Sequence, residues 1–220
     1  MRYLPWSEII QRIILPSLLA TLRMLCVEII IGGVLGFLLA IALFMTREHG
    51  LKPNKKIHTI LNGFISIVRS FPFVILMVSV IPVTRYITGS SIGWKAALVP
   101  LTMASVPFIA RMFENSFKEV NPSLIEAAKS FGASDFQIIF NVILADALPS
   151  LISGSILCII QILNLTAVAG TIGAGGLGAS ALQYGYQSFN DRVMYSVVLV
   201  LMILVIGIQF GGDKIYKRLK

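Results

Sequence analysis

The chain has 220 residues, of which 56% are hydrophobic and only 13% charged, and its mean hydropathy is +0.87. These values lie far outside soluble globular usage and define an integral membrane protein. The net charge of +8 does not point to nucleic acid, because the basic residues alternate with apolar stretches instead of forming one patch.

Crossing about 30 Å of hydrocarbon takes about 20 helical residues. Five segments meet or nearly meet that length, roughly 18–44, 57–83, 95–117, 148–172 and 193–210. The expected fold is all-α with five transmembrane helices. Ahead of them, residues 1–16 carry Trp6 and the cluster Ile9, Ile10, Ile13 and Ile14 among Glu8, Gln11 and Arg12, which predicts a short extracytoplasmic interfacial helix. The first span is too long for a signal peptide's apolar region and lacks a small-residue cleavage pattern after it, so it is kept in the mature protein. Its Gly32 and Gly36 give a G-x-x-x-G spacing that admits a close helix neighbour. Cys26 and Cys158 lie in apolar windows without spaced His or Cys, so neither a metal site nor a disulfide framework is indicated and both thiols are expected buried and inert.

The second span holds Val68-Arg69-Ser70-Phe71-Pro72-Phe73, a guanidinium and a helix breaker within one turn. A lone Arg near mid-membrane costs about 2.5–3.5 kcal/mol, so Arg69 should meet a partner, a carbonyl freed at Pro72, or water. Glu28, at similar depth in the first span, is the partner to test. The third span carries Pro100 and Pro107, then Arg111, Glu114 and Lys118 at spacings that let them neutralise one another on one helix face. That network is expected to be structural, without contact to solute.

Asn121 to Pro149 is mostly polar. Ser123 and Glu126 have capping-box spacing, Gly132 is suited to the left-handed helix end, and Ser134 with Gln137 repeats the box. Leu124, Ala128 and Phe131 fall on one face at helical spacing. Two capped helices meeting at Gly132 predict an elbow of fixed shape over 121–145.

The fourth span places Ser153, Gly154, Ser155, Gln161, Asn164 and Thr166 within apolar sequence. Such side chains face either close helix packing or a solute path. For a path, the residues are Gln161, Asn164, Thr166 and Val168, with Val168 a constriction, and Arg69 is a further lining residue. Residues 173–178, GAGGLG, fit G-x-G-x-x-G, but that fingerprint binds a dinucleotide only between a strand and a helix. After a membrane span it reads as a glycine turn. Gln183-Tyr184-Gly185-Tyr186 continue an outer loop.

Orientation follows the Lys and Arg of short loops. Eleven (Arg47, Lys52, Lys55, Lys56, Arg111, Lys118, Lys129, Lys214, Lys217, Arg218 and Lys220) fall on one side; five (Arg2, Arg12, Arg85, Lys95 and Arg192) fall on the other. The N-terminus is therefore expected outside, with the elbow and the basic tail 212–220 in the cytoplasm, in a multi-pass protein of the inner membrane.

Glu126-Ala127-Ala128, Gly132 and Val142-Ile143-Leu144-Ala145 resemble the E-A-A-x-x-x-G-x9-I-x-L-P signature of ABC importer permeases. Val142 replaces Ile, and Ala145 replaces Pro, which predicts a straighter helix after the elbow. In that family the segment is the cytoplasmic coupling helix seated in a cleft of the ATPase subunit. The resemblance thus assigns ATPase coupling to Ser123, Leu124, Glu126, Ala127, Ala128, Phe131 and Gly132.

Residues 68–73, 81–93, 99–115, 173–178, 183–186 and 209–215 are together similar to the permease subunit of methionine-type ABC importers. This implies a type I ABC importer permease acting as a homodimer within membrane lipid. Its partners would be two ABC ATPase subunits and an extracytoplasmic methionine-binding protein, often a lipoprotein, and no nucleic acid. No P-loop occurs in the chain, so ATP and Mg belong to the partner ATPase, with no catalytic residue, metal or cofactor here. The expected cargo is D- and/or L-methionine and close analogues; another amino acid or small solute is the alternative. An ion channel or ion-driven carrier would lack the E-A-A elbow and show ionisable residues along a path or internal repeats. An intramembrane enzyme is disfavoured because His49 and His58 have no Asp, Glu or His cluster around them.

Overall fold

A computed structural model describes residues 5–219, whose regular structure is helical throughout. Arg2 and Lys220, both counted in the charge comparison, lie outside the described residues. The first helix, α1, runs Trp6–Thr46 and includes a π-helical turn at Ile9–Ile14. The N-terminal segment is therefore not a separate interfacial helix. Its Ile9, Ile13 and Ile14 are buried against Leu177, Val193 and Val197, so protein covers the face expected to meet the interface.

The expected second span is broken. Lys55–Ser70 (α2) and Phe73–Ser79 (α3) meet at 102°, and Ile81–Thr88 (α4) follows. Pro72 pushes the residue before it out of the helical region, and Phe71 is extended at φ −79°, ψ 130°. Trp94–Lys118 (α5) stays helical through Pro100 and Pro107. Then come Pro122–Ser130 (α6), residues 135–146 (α7), Leu148–Ala169 (α8), Gly176–Ser180 (α9) and Asp191–Leu219 (α10). Among the described residues four helices are long and apolar enough to cross a membrane, and α2 with α3 makes a fifth if the bent pair is one span.

α1 and α5 form the central pair. A Cβ on Gly36 would lie 2.7 Å from Ile109 Cβ, so the G-x-x-x-G spacing does bring a helix this close. Two turns away Glu28 is fully buried and accepts hydrogen bonds from Thr102 Oγ1, at 2.9 Å, and from Ser105 Oγ. Arg69 instead sits exposed in the last turn of α2, and no Arg69–Glu28 pair forms. Glu28 is turned toward α5, whose hydroxyls satisfy it. Cys158 is buried but Cys26 is exposed, because hydropathy alone does not distinguish the lipid-facing side of an apolar helix from its packed side.

The glycine turn locks α8, α9 and α1 together. Gly173, Gly175 and Gly176 all have positive φ, and Leu177 N–H donates to Thr21 Oγ1 at 2.9 Å. Gly93 N–H donates to Gly173 O, tying the start of α5 to the same turn.

Candidate functional site

The elbow is built by caps, though the first differs from expectation. Pro122 takes the first helical position, where its missing N–H costs nothing. The cap therefore moves to Asn121, whose Oδ1 accepts from Ser123 N–H at 3.0 Å, and Ser123 with Glu126 forms no capping box. At the other end Gly132 has φ +78°; Gly132 N–H bonds Lys129 O and Ala133 N–H bonds Ala128 O. That pair of bonds is a Schellman ending. Ser134 and Gln137 form the expected reciprocal box, with Gln137 N–H to Ser134 Oγ at 3.3 Å and Ser134 N–H to Gln137 Oε1 at 2.8 Å.

Beyond the second cap the helix is not straighter. Residues Ile138–Ile143 are π-helical, and a turn at Ala147 precedes Pro149 at the start of α8. The interruption usually made by the Pro that Ala145 replaces thus comes slightly later in the chain.

The apolar stripe of α6 divides between two sides. Ile125 and Ala128 pack against a buried cluster that includes Phe44, Phe117, Ile138 and Ile143. Leu124 and Phe131 point outward, 43% and 92% exposed, and Phe136 of α7 joins them at 69%. Ser123, Glu126, Ala127 and Gly132 are exposed too. An aromatic side chain as open as Phe131 offers contact area that the chain itself leaves uncovered. Phe136 was legible only through its neighbouring cap.

Among the described residues three ion pairs lie around the seat. Glu114, fully buried, pairs with Arg111 at 2.6 Å and Lys118 at 2.5 Å, and Arg111 Nη2 donates to Asn62 Oδ1 of α2 at 2.7 Å. The expected structural network therefore also clamps α2, a role for Asn62 that spacing did not reveal. On the surface, Lys52 meets Asp135 at 3.2 Å. This exposed pair should contribute only about 0.2–1 kcal/mol. Asp135→Asn is expected to lower the melting midpoint by no more than about 4 °C, by thermal unfolding in detergent; a larger fall would show the pair to be a main support of the elbow.

In α8, Gln161 and Val168 are half-buried and Asn164 is exposed, all on one side at spacings of three and four. Thr166 is elsewhere: it is 1% exposed and its hydroxyl donates to Leu163 O at 2.7 Å. Arg69 lies apart, at the α2–α3 break.

The sequence profile of the "binding-protein-dependent transport system inner membrane component" matches residues 32–219. The chain belongs to this family, the membrane-spanning class of transport subunit that a helical bundle carrying a polar elbow defines. It is similar to the probable D-methionine transport system permease protein MetI of Vibrio cholerae, 38% identical over 97% of this chain and 95% of that protein. The methionine import system permease protein MetP of Bacillus subtilis is 40% identical over 79% of this chain and 78% of its own length. A solved chain of the MetNI methionine ABC transporter in an inward-facing conformation superposes with a TM-score of 0.94 at 41% identity, covering 97% of this chain and 99% of that one. Within the family the chain falls among the methionine-type ABC importer permeases, multi-pass proteins of the inner membrane that are not themselves catalytic.

Proposed function

We propose that this chain is the permease subunit of an ATP-driven importer of methionine and close analogues. Two copies assemble with two ATPase subunits, which bind ATP and Mg, and receive solute from an extracytoplasmic binding protein. The N-terminus lies outside and the C-terminus inside, which the excess of Lys and Arg on the elbow side supports.

The observation that carries this reading is the outward apolar face of Leu124, Phe131 and Phe136 on a doubly capped, well-seated elbow. When ATP draws the motor subunits together, the elbow moves as a body and shifts the spans it joins, so transport is a population shift between two packings. Ser123, Glu126, Ala127, Ala128 and Gly132 shape that body. Gln161, Asn164 and Val168 border the solute path, with Arg69 at its break, and Thr166 serves helix packing.

Uptake of radiolabelled methionine in a strain deleted for this chain tests the reading: restored uptake on adding the chain back supports it, and unchanged uptake after deletion refutes it. Gly132→Val adds a second check. A Cβ at Gly132 meets nothing within 4 Å, so the cost is purely conformational, about 1–2 kcal/mol for leaving glycine in this region and more for a β-branched residue. Uptake in proteoliposomes is expected to fall about tenfold while ATP hydrolysis continues, and Gly132→Asn should largely retain uptake. Equal uptake by the Val variant and the unaltered chain would remove Gly132 from the coupling.

A further inference from the structure

On the end of the bundle opposite the elbow, a cavity of about 270 Å³ lies between the broken second span and α5. Its walls are Met77 of α3, Ile81, Thr84 and Arg85 of α4, Ala96, Ala97 and Pro100 of α5, and Ile172 with Ala174 of the glycine turn. The break at Pro72 turns α3 by 102° from α2, and the cavity is left where α3 and α4 meet the start of α5 and the glycine turn. Small residues on α5 keep it open.

Its polar groups are few. Thr84 is 4% exposed and its Oγ1 is buried without a hydrogen-bond partner, although a buried hydroxyl left unpaired costs about 1–3 kcal/mol. Arg85 is exposed beside it, with Nη2 donating to Ser91 Oγ at 3.1 Å and further N–H donors on the same guanidinium. Ordered waters need about two to four polar partners each, and most of this lining is Met, Ile, Ala and Pro. Water therefore leaves the apolar part poorly served. An apolar chamber with one cation at its rim and the hydroxyl residues Thr84 and Ser91 in its wall matches a small carboxylate bearing an unbranched apolar side chain.

We propose that this cavity is an outer holding site for the carried amino acid, with Arg85 on the carboxylate, Thr84 Oγ1 on a polar group of the same molecule, and the side chain among Met77, Ile81 and Ile172. This rests on the transport reading above and adds to it a binding site within the permease itself. The solute is held there between release from the binding protein and entry to the path. Thr84 and Arg85 are consecutive residues of α4, so binding at this site also couples occupancy to the position of the broken span.

The test uses the permease–ATPase complex in lipid nanodiscs, without the binding protein, and measures equilibrium binding of radiolabelled L-methionine. The unaltered complex is expected to bind saturably. Arg85→Gln should weaken binding about tenfold and Thr84→Val about fivefold, Thr84→Ser should match the unaltered chain, and Ala96→Leu, which fills the chamber, should abolish the signal. Methioninol, which lacks the carboxylate, should compete at least about tenfold more weakly than methionine. Absence of saturable binding, or a signal that Thr84→Val, Arg85→Gln and Ala96→Leu all leave unchanged, overturns the site. Methionine uptake by cells holding the whole importer, measured alongside, separates the two ideas: uptake without cavity-dependent binding removes only the holding site, whereas no uptake removes the transport reading as well.

Discussion

Gly178→Ala is expected to leave almost no folded protein in the membrane. An added Cβ would stand 2.6 Å from the carbonyl carbon of Ala167, 2.7 Å from its Cα and closer still to its oxygen. All three are backbone atoms of α8, so no side chain can swing aside to relieve the clash. Forcing one methylene into a packed core commonly costs about 1–3 kcal/mol when side chains can move, and here two helices must part. Parting them would also break the Leu177 N–H bond to Thr21 and the contact at Gly170, where a Cβ would lie 2.9 Å from Gly175 O. The yield of monodisperse protein extracted in mild detergent measures this. Gly33→Ala is the control, since nothing lies within 4 Å of a Cβ there. If the two variants extract equally well, the α8–α9 crossing does not hold the outer end together.

Phe131→Asp is expected to act on assembly alone. The ring is 92% exposed, so its loss removes little contact from within the chain, and surface changes of this kind stay within about 0.5 kcal/mol of stability. A central aromatic anchor at an interface, by contrast, is worth about 2 kcal/mol or more, and a carboxylate placed in the same pocket adds desolvation cost. Affinity for the ATPase subunit should therefore fall at least about 30-fold, and uptake with it. Biolayer interferometry between the nanodisc-held permease and purified ATPase gives the first number; the melting curve of the variant gives the second. An unchanged affinity would move the motor contact away from the outward face of α6, and a lowered melting midpoint would mean that Phe131 supports the fold.

Several features were open to reading from residues alone. Hydropathy is a local property, so the apolar spans and the polar insertion between the third and fourth were visible without coordinates. So was the elbow, because a left-handed glycine and a Ser134–Gln137 box depend on neighbours within a few positions. The Arg111–Glu114–Lys118 network belongs to the same class, being set by helical spacing. Where local rules compete, spacing alone does not decide the outcome. Pro122 displaced the first cap to Asn121, and Pro72 turned a length sufficient for one span into two helices at 102°.

What the sequence determined by itself, then, is which stretches are helical and apolar, where the chain must bend left-handed, and the family signature carried by Glu126, Ala127, Ala128 and Gly132. Only the tertiary structure decided what each helix face meets. It gave Glu28 to Thr102 and Ser105 instead of Arg69, turned Cys26 outward and Thr166 inward, sent Ile125 to the core and Phe131 to the surface, and opened the chamber beside Thr84. The reason is that a membrane helix can be apolar on every side, so periodicity does not say which side packs. That choice is made by residues far away in the chain.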